Sequence, residues 1–234
     1  MQSEILTYAL EGTIAVVQMD DGKANALSGA MIDGLLEALL RAEKEATAMV
    51  LVGRADRFCA GFDLRVMMSG PDAAKELLGR GSNLLMKLYG ARVPLVIACT
   101  GHALAGGALV LLTGDVRIGA AGAYRIGLNE VSIGMPVPVL AMELARARLA
   151  PTELGRATLM AQIYTPEEAA KVGYLDAIAP AGDVAARAKE EAKRLGALSR
   201  SAFEATKTRL RGKTIAHVIA TLEDDMRSLL MPTA

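Results

Sequence analysis

The run Gly101-His102-Ala103-Leu104-Ala105-Gly106-Gly107-Ala108-Leu109 directly follows an apolar stretch at residues 93–99. Together they predict a buried strand, a glycine turn and the start of a buried helix. A helix starting there leaves the backbone N–H groups of residues 105–107 without intrahelical acceptors and aimed into a pocket. Such a helix start suits an anion, either a phosphate or a carbonyl oxygen that gains negative charge during reaction. Two more segments carry residue types that could do chemistry. Arg57-Phe58-Cys59-Ala60-Gly61-Phe62-Asp63-Leu64 contains small residues that let backbone approach a ligand closely, although an ordinary turn explains it as well. Ile126-Gly127-Leu128-Asn129-Glu130-Val131 places one acid in an apolar neighbourhood. Burial there would favour the protonated carboxyl and raise its pKa toward a useful range, whereas a solvated loop glutamate fits the same residues.

The elements that must position these segments alternate in type. Residues 13–19 and 48–53 are short β-branched runs of strand character, and between them residues 28–45 carry Ile32, Leu35, Leu36, Leu39 and Leu40 at helical spacing, with Ser28 as N-cap. Residues 72–89 form the next helical pattern, followed by the strand at 93–99, the turn, and a short helix to Leu112. Residues 115–118 and 123–126 read as further strands. Alternation of this kind indicates an α/β protein. Beyond Pro136 the chain becomes mostly helical, with start signals at Pro151, Thr165 and from Asp183 onward. Two apolar stripes run through this part: Val184, Ala188, Ala192 and Leu195, then Ile215, Val218, Ile219, Leu222, Met226 and Leu229. They suit helices that cap the core or helices that meet another subunit.

Composition narrows the field. The chain has 234 residues, 52% hydrophobic and 22% charged, which is enough for a well-packed core. Its 26 basic and 26 acidic residues cancel, so no net field draws it to nucleic acid or an anionic membrane. Only 3% of residues are aromatic and there is no Trp, which removes the stacking platforms used on single strands. A small-molecule role follows. Cys59 and Cys99 have no neighbours in metal-ligand spacing and read as buried free thiols. The uncharged stretch at residues 93–113 is long enough to span a bilayer. Yet Pro94, His102 and the glycines interrupt it, and strand, turn and helix explain it better. Met1-Gln2-Ser3-Glu4 lacks signal-peptide features, so a cytoplasmic location is expected.

In this order and spacing, the segments resemble the crotonase family, also called the enoyl-CoA hydratase/isomerase family. Lys23-Ala24-Asn25-Ala26-Leu27 is similar to the family's early CoA-side loop, Phe58 to Leu64 to its first oxyanion loop, and Gly101 to Asp115 to its second. Tyr124 to Glu130 looks like the catalytic acid segment, and Thr165 to Asp176 like the helix and turn after it. The resemblance implies an α/β crotonase-like spiral of repeated ββα units. Residues 1–180 would form the core with the acyl-CoA site. Residues 181–234 would be a helical region for oligomerisation and for covering the CoA pocket. By the same resemblance, the backbone N–H groups of Phe62 and Gly106 bind the thioester carbonyl oxygen and Glu130 shuttles a proton. Lys23, Ala24, Ala60, Gly61, Asp63, Leu64 and Leu109 lie along the acyl-CoA, as does Lys207, for which a lone surface lysine is the alternative description. No separate cofactor is implied, coenzyme A being part of the substrate, and a homotrimer or hexamer is expected.

One departure from the family pattern points to a reaction. Typical hydratases of the family carry two glutamates, but here the first position is Leu109 and only Glu130 remains. Hydration needs an activated water as well as protonation at carbon 2, work usually shared by two acids. Moving a double bond from carbon 3 to carbon 2 needs one group that takes a proton from carbon 2 and returns it to carbon 4. The Ile-Gly-Leu-Asn-Glu run is also similar to family members that act as Δ3,Δ2-enoyl-CoA isomerases, so isomerase chemistry is expected and hydratase is the alternative. A serine peptidase would need a Ser or Cys at the turn, and residues 101–112 have neither. The turn is also no dinucleotide fingerprint or P-loop. A non-catalytic acyl-CoA binder is supported only by the missing glutamate. His102 reads as a hydrogen-bonded structural residue, and Asp63 and Asp115 as carboxylates that fix loops and turns. Met67, Met68, Met86 and Met135 could line an acyl pocket or sit in ordinary core. Arg80, between Gly79 and Gly81, suggests a flexible helix edge above that pocket.

Overall fold

In the computed structural model, which describes residues 5–230, the apolar periods become two sheets wrapped by helices. Residues 1–4, the segment without signal-peptide features, lie outside the described residues. The chain opens with an antiparallel hairpin, β1 (Leu6–Glu11) and β2 (Ile14–Met19). Helix α1 (Gly29–Glu45) follows. Its Ser28 side chain accepts the Met31 N–H, and it buries Met31, Ile32, Leu35, Ala38, Leu39 and Ala42 along one face.

A strand–strand–helix unit then repeats, as the resemblance implies. First come β3 (Ala48–Val52), β4 (Asp56–Cys59), a short turn of helix α2 (Leu64–Met67) and α3 (Pro71–Tyr89). The second unit is β5 (Leu95–Cys99), β6 (Gly101–Leu104) and α4 (Gly106–Thr113). The third is β7 (Val116–Ala120), β8 (Ile126–Gly127) and α5 (Val139–Arg148). The first strand of each unit joins a six-stranded sheet of order β1-β2-β3-β5-β7-β9, and the second joins a three-stranded sheet β4-β6-β8. Helices α6 (Leu154–Thr158) and α7 (Pro166–Val172) lead to β9 (Ala177–Ala179), and α8 (Val184–Gly196) and α9 (Arg200–Leu230) close the chain.

The central strands β3 and β5 of the large sheet are buried on both faces and so read as continuous apolar runs, whereas the edge strand β1 is largely exposed. Met49 and Leu51 of β3 face the core formed with α1, α3 and α4, whereas Ala48, Val50 and Val52 face α8. The stripe Val184, Ala188 and Ala192 is therefore spent on the chain's own sheet. The second stripe also packs internally, because α9 crosses α3 and α5 and buries Val218, although Ile219 remains exposed.

Two expectations change in detail. The segment after residue 99 is a second strand, β6, where a glycine turn is expected from sequence. A Cβ on Gly101 would stand 2.0 Å from the Asp56 carbonyl carbon, so glycine marks a crossing of two backbones. The strand expected at 123–126 shortens to Ile126–Gly127. β6 exists through pairing with β4 and β8 through pairing with β6, partners distant in sequence that local pattern does not display. Among the described residues no helix is long and apolar enough to cross a membrane.

Candidate active site

The peptide group joining Gly61 to Phe62 is held from behind. The Leu27 N–H donates to Gly61 O at 2.8 Å, and Asp63 N–H donates to Leu27 O at 3.3 Å. Because a trans peptide sends C=O and N–H in opposite directions, anchoring Gly61 O turns the Phe62 N–H away from Leu27. Among the described residues that N–H has no acceptor. The Leu27 strut is itself stiffened by Asn25, fully buried and left-handed at φ 51°. Its amide donates to Met19 O at 3.1 Å, Phe58 O at 3.1 Å and Arg57 O at 3.3 Å, while its Oδ1 accepts Asp21 N–H at 3.0 Å.

Opposite this loop stands the start of α4. Ala105 adopts φ 48°, ψ −122°, a conformation costly for a residue with a Cβ, and it turns the chain from β6 into the helix. Gly106 N–H, at the first turn, has no acceptor among the described residues. The expectation of free N–H groups at 105–107 is corrected at Ala105, whose N–H donates to Gly127 O at 3.0 Å. The two loops touch: a Cβ on Gly61 would lie 3.1 Å from Gly106 N, and one on Gly107 would lie 1.9 Å from Cys59 O. Side chains are excluded at this junction, which brings the free N–H groups of Phe62 and Gly106 beside one another on adjacent loops. A helix N-terminus adds positive potential there.

The Ala105–Gly127 hydrogen bond also ties β8 to this junction, three residues before Glu130. Glu130 is only 6% exposed, and its Oε2 is buried without a hydrogen-bond partner. Burial pushes its carboxyl above the ordinary glutamate value. Buried polar atoms are nearly always paired, so an orphan carboxylate oxygen is unusual. Asn129 Oδ1 and the hydroxyls of Tyr164 and Tyr174 are likewise buried without partners in the surrounding segments. The Glu130 carboxyl is thus set in a dry environment with an oxygen free to take a proton.

The remaining sequence candidates separate into groups. Lys23, Ala24 and Asp63 share an open cleft of about 490 Å³ with Arg65 and Ser28. Ala60 is exposed and donates its N–H to Ala24 O, and Leu64 is exposed at the start of α2, where Asp63 accepts the Arg65 N–H. Leu109 is buried and lies away from that cleft, in a small cavity with Phe62. Lys207 is corrected outright. Its ammonium is buried and bonded to Asp115 Oδ2 at 2.7 Å, with Arg211 on the other oxygen at 3.0 Å, so it is not a free cation for coenzyme A. Burial lowers its pKa to about 8. His102 accepts the Arg125 N–H at 3.0 Å, as a structural histidine should. Arg80 is no loose cation, since it bonds Asp33 at 2.6 Å and Gly29 O at 3.2 Å.

The Gly79-Arg80-Gly81 signal has a packing cause instead. A Cβ on Gly81 would sit 2.2 Å from Phe62 Cε1, so the glycine lets the Phe62 ring nest against α3. Beyond that ring lies a cavity of about 30 Å³ lined also by Leu78, Leu85, Leu109 and Leu140. Leu222, Asp225, Met226 and Leu229 of α9 close it. None of the four methionines singled out from sequence lines it; Met86 is core and Met68 is 84% exposed. Two residues carry no sequence signal for their roles: Asn25 stands out only as part of the loop at residues 23–27, and Asp225 sits in the charged run Glu223-Asp224-Asp225.

A family model described as enoyl-CoA hydratase/isomerase matches residues 9–232. An enoyl-CoA hydratase/isomerase family protein from Pseudomonas syringae superposes with a TM-score of 0.94 at 34% identity, over 97% of this chain and 99% of that one. An enoyl-CoA hydratase from Mycobacterium marinum does so with a TM-score of 0.86 at 37% identity, over 96% of each chain. Human mitochondrial enoyl-CoA delta isomerase 1 is 28% identical over 222 residues, 93% of this chain and 74% of the human one.

Proposed function

The chain belongs to the enoyl-CoA hydratase/isomerase family, and on that premise we propose that it moves the double bond of a 3-enoyl-CoA to the 2 position. The thioester carbonyl oxygen sits between the N–H groups of Phe62 and Gly106. Glu130 takes a proton from carbon 2, the electrons move onto the carbonyl oxygen as an enolate, and both donors stabilise that charge. One such donor is typically worth about 3 kcal/mol in the transition state. Glu130 then returns the proton to carbon 4 as the enolate collapses, which leaves the double bond conjugated with the thioester and the enzyme unchanged.

This reading rests on a single buried acid among the described residues, Glu130 with its orphan oxygen, together with Leu109 at the position of the other family glutamate. A dry, raised carboxyl suits proton transfer between two carbons, since it is a stronger base than a solvated one and no water competes. The human isomerase relative supports the same reaction. Hydration is the second reading, supported by the mycobacterial neighbour named as a hydratase. The two separate in one assay: purified protein is given a 3-enoyl-CoA and, separately, crotonyl-CoA with water as co-substrate. Isomerisation well above hydration, abolished in Glu130→Gln, is expected. Efficient crotonyl-CoA hydration would overturn the isomerase reading, and thioester binding without turnover would identify a binder.

A further inference from the structure

Helix α9 is fastened unevenly. Its first half is pinned to the core by the buried contacts of Lys207 and Arg211 with Asp115, by Arg211 with Tyr89 O at 2.8 Å, and by Arg92 with Glu204 at 2.6 Å. Past Val218 the fastening changes. Among the described residues of that distal stretch, the hydrogen bond to another element is the one from Val139 N–H to Asp225 Oδ2, at 2.7 Å. The donor is the first residue of α5, so the Asp225 carboxylate satisfies an orphan N–H and faces the positive end of a helix. On either side of Asp225, Leu222, Met226 and Leu229 wall the cavity that begins at Phe62 and Leu109. Its volume, about 30 Å³, is on the order of a single water's share of liquid.

Resting on the acyl-CoA reading above, we propose that the distal end of α9, clipped to α5 by Asp225, is an acyl-length gate that restricts this enzyme to short-chain enoyl-CoA thioesters. Chain atoms beyond the reacting carbons enter the cavity past Leu109, and they meet Met226 and Leu222 almost at once. A longer acyl group has to displace the end of α9 and break the Asp225 clip. Asp225 is a specificity-determining residue on this account, acting through the helix it holds, and Met226 is the wall that the chain meets.

The test measures dissociation constants by calorimetry for butanoyl-, hexanoyl-, octanoyl- and decanoyl-CoA, alongside turnover of matching 3-enoyl-CoAs, in the wild type and in Asp225→Ala, Asp225→Asn and Met226→Ala. Melting curves check that each variant folds. In the wild type, affinity should stop rising or fall beyond hexanoyl. Asp225→Ala and Met226→Ala should each shift the decanoyl-to-butanoyl affinity ratio by about tenfold or more toward the long chain, the scale a hydrophobic pocket achieves per methylene. Asp225→Asn keeps an oxygen acceptor for Val139 and should follow the wild type, which a general loss of stability would not produce. A wild type whose affinity climbs steadily through decanoyl-CoA, or variants with an unchanged length profile, would overturn the gate. Length-dependent binding without isomerisation would instead refute the reaction and leave the gate standing. Failure of the wild type to bind any of the thioesters would refute both.

Discussion

Replacing Gly81 by alanine sets a helix effect against a packing effect, and the magnitudes decide which wins. Within α3, alanine is favoured over glycine by about 1 kcal/mol, so propensity alone makes the variant more stable. The added Cβ, however, would lie 2.2 Å from Phe62 Cε1 and 2.6 Å from Cζ. Carbon atoms in contact rest about 3.5–4.0 Å apart, so the ring must move by more than about 1 Å. It cannot retreat toward α4, because Gly106 already fits closely against its other edge, where a Cβ would stand 3.0 Å from Cδ2. The open direction is the cavity past Leu109, where the ring would occupy the space assigned to the acyl chain and pull on the Phe62 peptide. Overpacking of this kind costs about 1–3 kcal/mol and offsets the helix gain. Loss of one oxyanion donor costs about 10²–10³ in kcat, so a partial displacement should lower isomerase kcat by roughly tenfold to a hundredfold. The assay is turnover of trans-3-hexenoyl-CoA with a parallel thermal melt. A Gly81→Ala protein that melts higher and turns over within twofold of wild type would refute the nesting of Phe62 against α3 as a determinant of the site.

Asn25→Ala leaves the carbonyls of Met19, Arg57 and Phe58 without that donor in a buried setting; a loss of about 1–3 kcal/mol in chemical denaturation is expected, together with a fall in kcat, because the Leu27 strut behind Gly61 loosens. Lys207→Met removes one partner of a buried ion pair while Arg211 stays on Asp115; a stability loss near 3 kcal/mol is expected, with coenzyme A affinity measured by calorimetry unchanged, and a selective affinity loss would restore the CoA role. Because burial raises the Glu130 pKa and the base must start ionised, the acid limb of kcat/KM should lie above the usual carboxylate value of about 4.3, and a limb at or below that value would contradict the dry site. The linkage has a fixed sign: a raised folded-state pKa contributes stability that is present below the unfolded value and lost as pH rises through the folded one. Glu130→Gln should therefore melt higher than wild type at neutral pH, with the gap closing in acid.

Much of this site is legible in the chain because it is made of backbone. Glycines at 61, 106 and 107 stand where a side chain would strike another loop, and small residues in those places are visible in a sequence. The α1 helix, the strands β2, β3 and β5 and the helical last third follow from local period and capping. What pattern does not display is pairing between distant segments. The strands β4, β6 and β8 are short, and their alignment exists only in three dimensions. Lys207 illustrates the other limit. A lysine on an amphipathic helix looks solvent-facing, and only the arrival of Asp115 from the end of α4 makes its burial tolerable. Gly79 and Gly81 suggest from sequence only a flexible helix edge; that Gly81 marks a close approach depends on the loop that carries Phe62.

The proposed isomerisation depends on one carboxyl moving one proton. Wild type and Glu130→Gln are mixed with trans-3-hexenoyl-CoA, and formation of the conjugated thioester is followed under single-turnover conditions. Rapid conversion by the wild type is expected, with a loss of about a hundredfold or more in the variant, the lower end of the range for general acid–base catalysis. Conversion by Glu130→Gln at close to the wild-type rate would mean that another group carries the proton, and the assignment of this site would be wrong.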